Sequence, residues 1–418
     1  MPSPEPSAPP VVRDGDVIRL PGLATAHSHA FQRGLRGRTQ RLPAGAAGSF
    51  WSWRGLMYRF AERLDPESMY ALARFAYAEL ARHGVTAVGE FHYVHHQPDG
   101  TPYGERTTMA DAVIRAARDA GLRVTLLRVL YHRAGAGRAP EGAQRRFSDA
   151  RLEDALADVE ALARRWAEEP AVRVGLAPHS VRAVPAEWLE EAARFAAERA
   201  LPLHAHVAEQ RREIRECLAE HGRRPVELLA ERGVLGPAFV AVHATHLRPH
   251  EVRLLGAARS FACVCRTTER DLGDGAPPLG PLLDAGARLC VGVDSHALGD
   301  PFEELRAVEL DERVRTEART VACDGAGLLA AGSAEGYAAI GFEGAEGADR
   351  VELDAADPSL AGLGGADAAT WADGVIFGAS GRAVRRVEVA GEAIVEGGVP
   401  RGGSAARRAF EAAVAAIA

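Results

Sequence analysis

The chain of 418 residues is long enough for one large domain and a smaller one, and its hydrophobic fraction of 47% is that of a globular protein. Its formal net charge of −7 argues against a surface that binds nucleic acid or an anionic membrane. All 50 of its Lys and Arg residues are Arg. This excludes a Schiff-base lysine, a P-loop lysine and a carbamylated lysine that bridges two metal ions.

The segment that opens the chain, MPSPEPSAPP, is polar and rich in proline. It lacks the basic region and the apolar core of a secretory signal peptide. No apolar run approaches the roughly 18 residues that a membrane helix needs. We therefore expect a disordered lead-in, no membrane partner and a cytoplasmic protein.

Eight apolar runs, rich in β-branched residues, alternate along the chain with amphipathic helical stretches. The runs are VIRLPGLATAHSH, VTAVGEFHY, RVTLLRVLYH, VRVGLAPHS, LPLHAHVAE, FVAVHATHL, SFACVCRTTE and ARLCVGVDSH. Near-continuous apolar strands between helices are typical of a parallel sheet that is buried on both faces. Eight such units predict a (β/α)8 barrel, in which the carboxyl ends of the strands form the active site.

The two ends of the chain have a different pattern. After about residue 345 the helical pattern stops, and DGVIFGASGRAVRRVEVAGEAIVEGG is typical of short strands with glycine turns. The segment VVRDGDVIRL, near the other end, is suited to pair with it. We therefore predict an α/β protein in which both termini form a small β-sheet or sandwich, with the chain divided into 1–19, 20–345 and 346–418.

Candidate metal ligands follow several of the apolar runs. His27 and His29 form a His-x-His pair at the end of the first run, where residues two apart point to the same face of a strand. His206 and Asp294 stand in two later runs. Three imidazoles and one carboxylate suit Zn²⁺ with a position left open for water, whose pKa the ion lowers to about 7. The sequence predicts a metal-assisted hydrolase with one Zn²⁺ per subunit.

Three groups beside these ligands are suited to move protons or to stabilise charge. Glu209 lies three residues after His206, where it can carry a proton to a nitrogen that leaves as ammonia. Asp294 can contact the metal and accept a proton from water. His243, in the next run, can stabilise the developing negative charge.

Other residues leave alternatives open. His204 shares a strand face with His206 and competes with it as the ligand. Cys263 and Cys265 lie two apart and would suit a metal, but buried thiols in strands are the favoured interpretation. A histidine cluster after the second run indicates either a second metal or, as we favour, a polar loop: His92, His95 and His96.

The motifs around these residues resemble the amidohydrolase superfamily. Within its mononuclear aminohydrolase branch they are most similar to the formimidoylglutamate deiminases. The resemblance runs from about Leu20 to about Arg306. It rests on HSHAFQRGLRG, SFWSWRGLMYRF, GEFHYVHH, APHSVRAV, LHAHVAEQ, HATHL, TTERDLGDG and DSHALGDPFEELR. It implies a homodimer that hydrolyses N-formimino-L-glutamate to N-formyl-L-glutamate and ammonia, in histidine degradation.

The resemblance also assigns roles to particular residues. It implies the metal ligands named above and proton transfer by Glu209, His243 and Asp294. It implies substrate contacts at five positions: Gln32, Arg54, Tyr93, His179 and Arg182. Because Arg binds a carboxylate in a bidentate fork, these arginines predict a small anionic substrate for an otherwise acidic chain.

One departure from the family pattern and several alternative functions remain. Arg266 stands where the pattern has Pro, near the end of the seventh strand, where it would reshape a wall of the pocket. The main alternative is a deaminase of a purine or another heterocycle, whose pocket would have stacking aromatics and amides instead of paired Arg. Hydrolysis of an amide or ester, and a non-catalytic ligand-binding barrel, are further alternatives. Convergence of Arg54 and Arg182 on one pocket would favour the formimino substrate.

Overall fold

The computed structural model describes residues 11–41 and 48–417, which form strands and helices in alternation. The strands are β1 (Val12–Asp14), β2 (Val17–Pro21), β3 (Leu23–Ser28), β4 (Val85–His92), β5 (Arg123–Leu130), β6 (Val172–Pro178), β7 (Leu203–Val207), β8 (Phe239–His243), β9 (Phe261–Val264), β10 (Arg288–Val291), β11 (Arg350–Asp354), β12 (Val384–Val389), β13 (Glu392–Glu396) and β14 (Val399–Pro400). The α-helices are α1 (Phe50–Ala61), α2 (Pro66–Arg82), α3 (Thr108–Ala120), α4 (Leu152–Arg165), α5 (Ala186–Arg199), α6 (Arg211–His221), α7 (Pro225–Glu231), α8 (Pro249–Ala257), α9 (Arg266–Leu272), α10 (Leu279–Asp284), α11 (Pro301–Thr316), α12 (Gly325–Gly332), α13 (Ala334–Ala339), α14 (Ala368–Gly378) and α15 (Gly403–Ile417). Short 3₁₀ helices span Ala30–Leu35, Gly142–Arg146, Glu346–Ala348, Pro358–Leu360 and Gly381–Ala383.

Strands β3 to β10 form one parallel sheet in which each strand pairs with the next along the chain. Every residue of β4 and of β5 is buried, as expected for strands covered on both faces. Helices connect the successive strands. The predicted (β/α)8 architecture is confirmed.

The sheet closes where its last strand meets its first. Ser28 and Asp294 form an isolated parallel bridge, and the amide of Asp294 donates to the carbonyl of His27 at 3.0 Å. A side chain at Gly292 would bring its Cβ within 2.7 Å of the Cβ of His27, so only glycine fits this close approach. This closure places Asp294 beside the His-x-His pair, although the two are far apart in the sequence.

The second sheet is antiparallel, has the strand order β1-β2-β11-β12-β13-β14, and draws strands from both termini. This confirms the predicted small sheet. The first predicted run, VIRLPGLATAHSH, is two strands: β2 pairs with β11 in the small sheet, and β3 begins the barrel after Gly22. The division at residues 19/20 and 345/346 stays a prediction.

The expectation that helices stop after residue 345 was wrong. Helix α14 buries Trp371, Val375 and Ile376, and it packs against α12 and α11. Helix α15 packs against α2. The segment DGVIFG is therefore helical. Its apolar residues pack against helices from earlier parts of the chain, and such tertiary contacts override the local preference of a short apolar segment.

Local sequence signals set the boundaries of several helices. Asp65 accepts from the amide of Ser68 at 2.8 Å, and Pro66 is the first residue of α2, where a missing amide proton costs nothing. Gly121 ends α3 with a φ of +82°. In the part of the chain that the structure describes, no helix combines the length and the apolar character needed to cross a membrane.

Candidate metal centre and active site

Three buried imidazoles meet at the carboxyl ends of β3 and β7. His27, His29 and His206 each place a ring nitrogen close enough to the others to bind one metal ion. The Nε2 atoms of His27 and His206 lie 3.2 Å apart. Two ligand atoms about 2.05 Å from one ion, at tetrahedral angles, lie about 3.3 Å apart. The separation therefore fits a shared ion.

Asp294, just after β10, adds a carboxylate to the cluster. Its Oδ1 lies 3.2 Å from Nε2 of His29 and 3.5 Å from Nε2 of His27. These separations match the tetrahedral spacing as well. The structure thus brings together the four residues that the sequence proposed as metal ligands.

The protonation of the rings also fits metal binding. Nδ1 of His29 lies 2.9 Å from the carbonyl oxygen of Phe91, and Nδ1 of His206 lies 3.0 Å from that of His179. A carbonyl oxygen only accepts, so each Nδ1 carries the proton and each Nε2 keeps its lone pair for a metal. Burial lowers the pKa of all three histidines below the ordinary value, so the rings are neutral.

The two ring nitrogens of His27 also fit a bound metal ion. Its Nδ1 is buried and has no hydrogen-bond partner within the described residues. Its Nε2 faces His206 and Asp294. A buried Nε2 that faces another ring nitrogen and a carboxylate oxygen is costly unless a cation lies between them. The ligand atoms of this cluster are therefore of the type and spacing that suit a metal ion.

Glu209 and His243 lie beside this cluster. Nε2 of His243 is 3.9 Å from Oε1 of Glu209 and 3.8 Å from Oδ2 of Asp294. Burial raises the pKa of Glu209 above its ordinary value. Burial lowers the pKa of His243, but the nearby carboxylates outweigh it and hold that pKa above its ordinary value. Two buried titratable side chains with raised pKa values therefore lie beside the metal position.

A cavity opens over the metal cluster. Its lining is His29, Gln32, Phe50, Trp53, Arg54, Met57, Tyr58, Tyr93, Tyr131, Phe147, His179, Arg182, His206, Glu209, His243, Leu272 and Asp294. All five residues proposed as substrate contacts are in this lining. Residues from His29 to Asp294, far apart in the sequence, thus reach one cavity.

Two arginines on the cavity wall have no ionic partner. Nη1 of Arg54 and Nη1 of Arg182 are both buried and make no hydrogen bond to any described residue. The guanidinium of Arg54 instead stacks on Trp51, 4.4 Å from the ring centroid, and lies 5.2 Å from that of Tyr58. Burial lowers the pKa of Arg54, and the charge of Arg182 lowers it further. Two neighbouring guanidinium groups that form no ion pair with a described residue are typical of an anion-binding site.

Gln32 and Tyr93 form a second polar group in the cavity. Nε2 of Gln32 donates to Oη of Tyr93 at 2.8 Å, and Oη of Tyr93 donates to Sδ of Met57 at 3.4 Å. Oε1 of Gln32 is buried and unpaired within the described residues. The amide carbonyl is therefore free to accept a hydrogen bond from a bound molecule.

The comparisons with known proteins agree with this geometry. Residues 18–347 match the family pattern described as the amidohydrolase family. The chain belongs to the amidohydrolase family. The resemblance drawn from the motifs is thereby confirmed, and with the buried histidine cluster it makes this amidohydrolase a metal-dependent hydrolase.

Individual relatives show how far the similarity extends. This amidohydrolase is 38% identical over 411 residues to a formimidoylglutamate deiminase of Pseudomonas aeruginosa, a match that covers 94% of this chain and 87% of that protein. The crystal structure of an amidohydrolase from Brucella melitensis superposes with a TM-score of 0.88 at 36% identity, covering 96% of this chain and 89% of that one. An adenosine deaminase from Xanthomonas campestris, solved with bound zinc, superposes with a TM-score of 0.79 at 23% identity, covering 95% and 86%. This last likeness shows the fold alone.

Several residues that the sequence left open as alternative ligands or pocket residues lie outside the cavity of this amidohydrolase. Nε2 of His204 lies 2.9 Å from the carbonyl oxygen of Ala339, so that ring points away from the metal cluster. Cys263 is buried within the strands. Arg266 does not line the cavity; it pairs with Glu269 and Asp311 behind it.

His95 and His96 lie in the loop after β4, as predicted, but this loop is buried, and His92 is the last residue of the strand. All three rings are buried: His92, His95 and His96. Nε2 of His95 lies 3.0 Å from the carbonyl oxygen of Val129, and Nε2 of His96 lies 3.4 Å from a carboxylate oxygen of Asp149. Nε2 of His92 and Nδ1 of His96 are buried without a hydrogen-bond partner among the described residues, and these residues hold no group of metal donors there.

Sequence reasoning missed three residues at the site. Tyr58 and Tyr131 line the cavity beside the two arginines. Glu269 lies outside the cavity, with Oε1 3.2 Å from Nδ1 of His243. The stretch TTERDLGDG contained Glu269, but nothing in its spacing indicates contact with a histidine on the preceding strand.

Proposed function

We propose that this amidohydrolase hydrolyses N-formimino-L-glutamate to N-formyl-L-glutamate and ammonia. The observation that carries the proposal is a pair of arginines, Arg54 and Arg182, on the wall of a cavity whose floor is the metal cluster; each has a buried Nη1 without a hydrogen-bond partner among the described residues. A substrate that neutralises them needs negative charge at one end and a hydrolysable group at the other. The formimino derivative of a dicarboxylic amino acid has both.

Substrate binding follows from these positions. Arg54 and Arg182 each offer a planar fork of N–H donors to a carboxylate. The unpaired Oε1 of Gln32 accepts from an N–H of the substrate. The aromatic wall supports the aliphatic chain. The 38% identity to a formimidoylglutamate deiminase supports the same substrate.

We further propose one Zn²⁺ per subunit, held by the residues of the cluster: His27, His29, His206 and Asp294. A solved relative with bound zinc supports this choice of ion. Bound Zn²⁺ supplies Lewis acidity and lowers the pKa of water to about 7.

The side chains then move the protons of the reaction. A water oxygen bonds to the formimino carbon while Asp294 takes one of its protons. Glu209, protonated because burial raises its pKa, gives its proton to the imino nitrogen. His243 faces the oxygen of the tetrahedral adduct and stabilises its charge. Asp294 then gives its proton to the amine nitrogen, the C–N bond breaks and ammonia leaves, while the second water proton passes to Glu209 and the formyl group forms.

A heterocycle deaminase is the second candidate, because aromatic side chains line part of the cavity: Phe50, Trp53, Tyr93 and Phe147. A neutral purine would stack on them. It would also leave the buried guanidinium of Arg182 and the partly exposed guanidinium of Arg54 without a bound carboxylate in the complex. The dicarboxylate is therefore the better match.

Ammonia release by the zinc-loaded protein tests the proposal. We expect turnover of N-formimino-L-glutamate, no turnover of adenosine or guanine, and at least ~10-fold lower kcat/KM for N-formiminoglycine, which has one carboxylate fewer. Turnover of a heterocycle without turnover of the formimino substrate would refute it. Equal rates on the glycine and glutamate derivatives would refute the role of the second arginine.

The family resemblance supports three further proposals. We place the protein in histidine degradation, in the cytoplasm, and as a homodimer. Sedimentation of the purified protein measures the oligomeric state directly.

A further inference from the structure

We propose that Glu269 is a positioning residue for His243, and that Arg266 holds Glu269 in place through an ion pair behind the cavity. The inference rests on the proposed function, since His243 acts there on the reacting centre. Neither Glu269 nor Arg266 lines the cavity. Their effect on the reaction passes through the imidazole ring.

The hydrogen bonds of Glu269 define which nitrogen of His243 faces the cavity. Oε1 of Glu269 lies 3.2 Å from Nδ1 of His243 and accepts from the amide of Cys265 at 3.0 Å. A carboxylate oxygen only accepts, so Nδ1 carries a proton. Nε2 therefore points to the cavity, 3.9 Å from Glu209 and 3.8 Å from Asp294.

The backbone at the end of β8 needs such an anchor. His243 has a φ of +69° and Ala244 a φ of +49°, in the left-handed region that residues with a Cβ avoid. Strained conformations of this kind persist only where the surroundings enforce them, and they cluster at functional sites. The bond to Glu269 ties the ring of the strained residue to helix α9.

Arg266 supplies the charge that Glu269 needs. Its side chain is almost fully buried, and Nη1 donates to Oε2 of Glu269 while Nε donates to Oδ2 of Asp311 at 2.8 Å. The guanidinium thus neutralises a carboxylate that burial alone would make unstable as an anion.

The same geometry argues against a second metal. The donors of His243, Cys265 and Glu269 lie close enough together for an ion. The guanidinium of Arg266 already occupies the outer oxygen of Glu269 with a positive charge. A cation at this place would face that charge directly, so we assign the group as a hydrogen-bonding device.

Two variants separate the hydrogen bond from the charge. Glu269→Ala removes the acceptor, and we expect kcat to fall about 10- to 100-fold, with KM within about 3-fold of the wild type. The double variant Arg266→Met with Glu269→Gln keeps a neutral acceptor for Nδ1 without an unpaired charge, and should recover most of kcat. Zinc content should stay at one ion per chain in both variants.

Glu304→Gln is the matched control. Glu304 is also buried next to α9, where it accepts from the amide of Thr267 at 3.1 Å, but it does not contact His243. We expect its kcat to stay within about 2-fold of the wild type. A wild-type kcat in Glu269→Ala, or a double variant as slow as Glu269→Ala, would overturn the proposal.

A second measurement on the unmutated protein is independent of folding defects and of turnover. In the zinc-loaded protein labelled with ¹⁵N-histidine, the ring resonances of His243, identified by their loss in His243→Gln, should show a protonated, hydrogen-bonded Nδ1. An unprotonated Nδ1 would overturn the positioning role. Absence of turnover of the formimino substrate would refute the proposed function alone, and the Nδ1 result would still decide the role of Glu269.

Discussion

Replacing Arg182 tests the anion-binding wall most directly, because it should weaken catalysis without weakening the free protein. Arg182 is buried, and its Nη1 has no partner among the described residues. With substrate bound, we expect it to pair with a carboxylate out of water. Removing one partner of a buried charge pair costs about 3 kcal/mol. Arg182→Gln should therefore lower kcat/KM about 100-fold.

The free protein should respond differently. In it the guanidinium of Arg182 forms no ion pair with a described residue; burial lowers its pKa, but nearby tyrosines and the carboxylates of Glu213 and Glu209 outweigh this and raise it. Because these opposing effects largely offset each other, we expect the free energy of unfolding in urea to change by less than about 1 kcal/mol. A typical structural arginine would instead lose stability on replacement.

Arg54 provides a graded comparison and its own helix provides a control. Arg54 is partly exposed, so water screens its pair with the substrate, and Arg54→Gln should cost about 1.5 kcal/mol, or about 10-fold in kcat/KM. Arg59, one turn further along α1, donates to the carbonyl of Gly55 and does not line the cavity, so Arg59→Gln should leave kcat/KM unchanged. Wild-type kcat/KM in Arg182→Gln, or an equal loss in Arg59→Gln, would refute the reasoning.

Three further predictions concern the metal, the proton carrier and the stability of the barrel. Glu209→Gln should retain zinc, measured by metal analysis, and abolish ammonia release, whereas loss of zinc would show that its role is misassigned. His206→Ala should lose zinc while His204→Ala keeps it, because only the first ring faces the cluster. Burial raises the pKa of Glu79, but Arg33 and Arg36 outweigh it and lower that pKa to about 2. The stabilisation from ionised Glu79 is complete at pH values above the pKa of the unfolded chain, and it is lost as pH falls from about 5 to about 2. Glu79→Gln should therefore lower the free energy of unfolding by about 2 kcal/mol at pH 7, and in urea titrations the difference between the variant and the wild type should vanish near pH 2. A difference that stays constant with pH would contradict the pairing.

The C-terminal region shows where local patterns fail. The hairpin of β12 and β13 could be predicted, because alternation and a glycine turn are local features. Helix α14 could not be predicted, since a short apolar stretch is equally compatible with a helix and with a strand. Its contacts with α11 and α12, which lie earlier in the chain, decide the outcome.

The sequence by itself determined the barrel and the candidate ligand set. Polar residues at the ends of apolar parallel strands must meet at one face of a barrel, so His27, His29, His206 and Asp294 could be proposed together without coordinates. That inference needs only the strand order and the side on which each strand ends.

Only the tertiary structure decided what each side chain meets. The closing bridge beside Gly292 brings Asp294 to the His-x-His pair. The unpaired state of Arg182 and the bond from His243 to Glu269 likewise depend on distances between segments far apart in the chain. Burial and the presence or absence of a partner are properties of the packed molecule, and a sequence pattern, which records residue types and spacing, does not contain them.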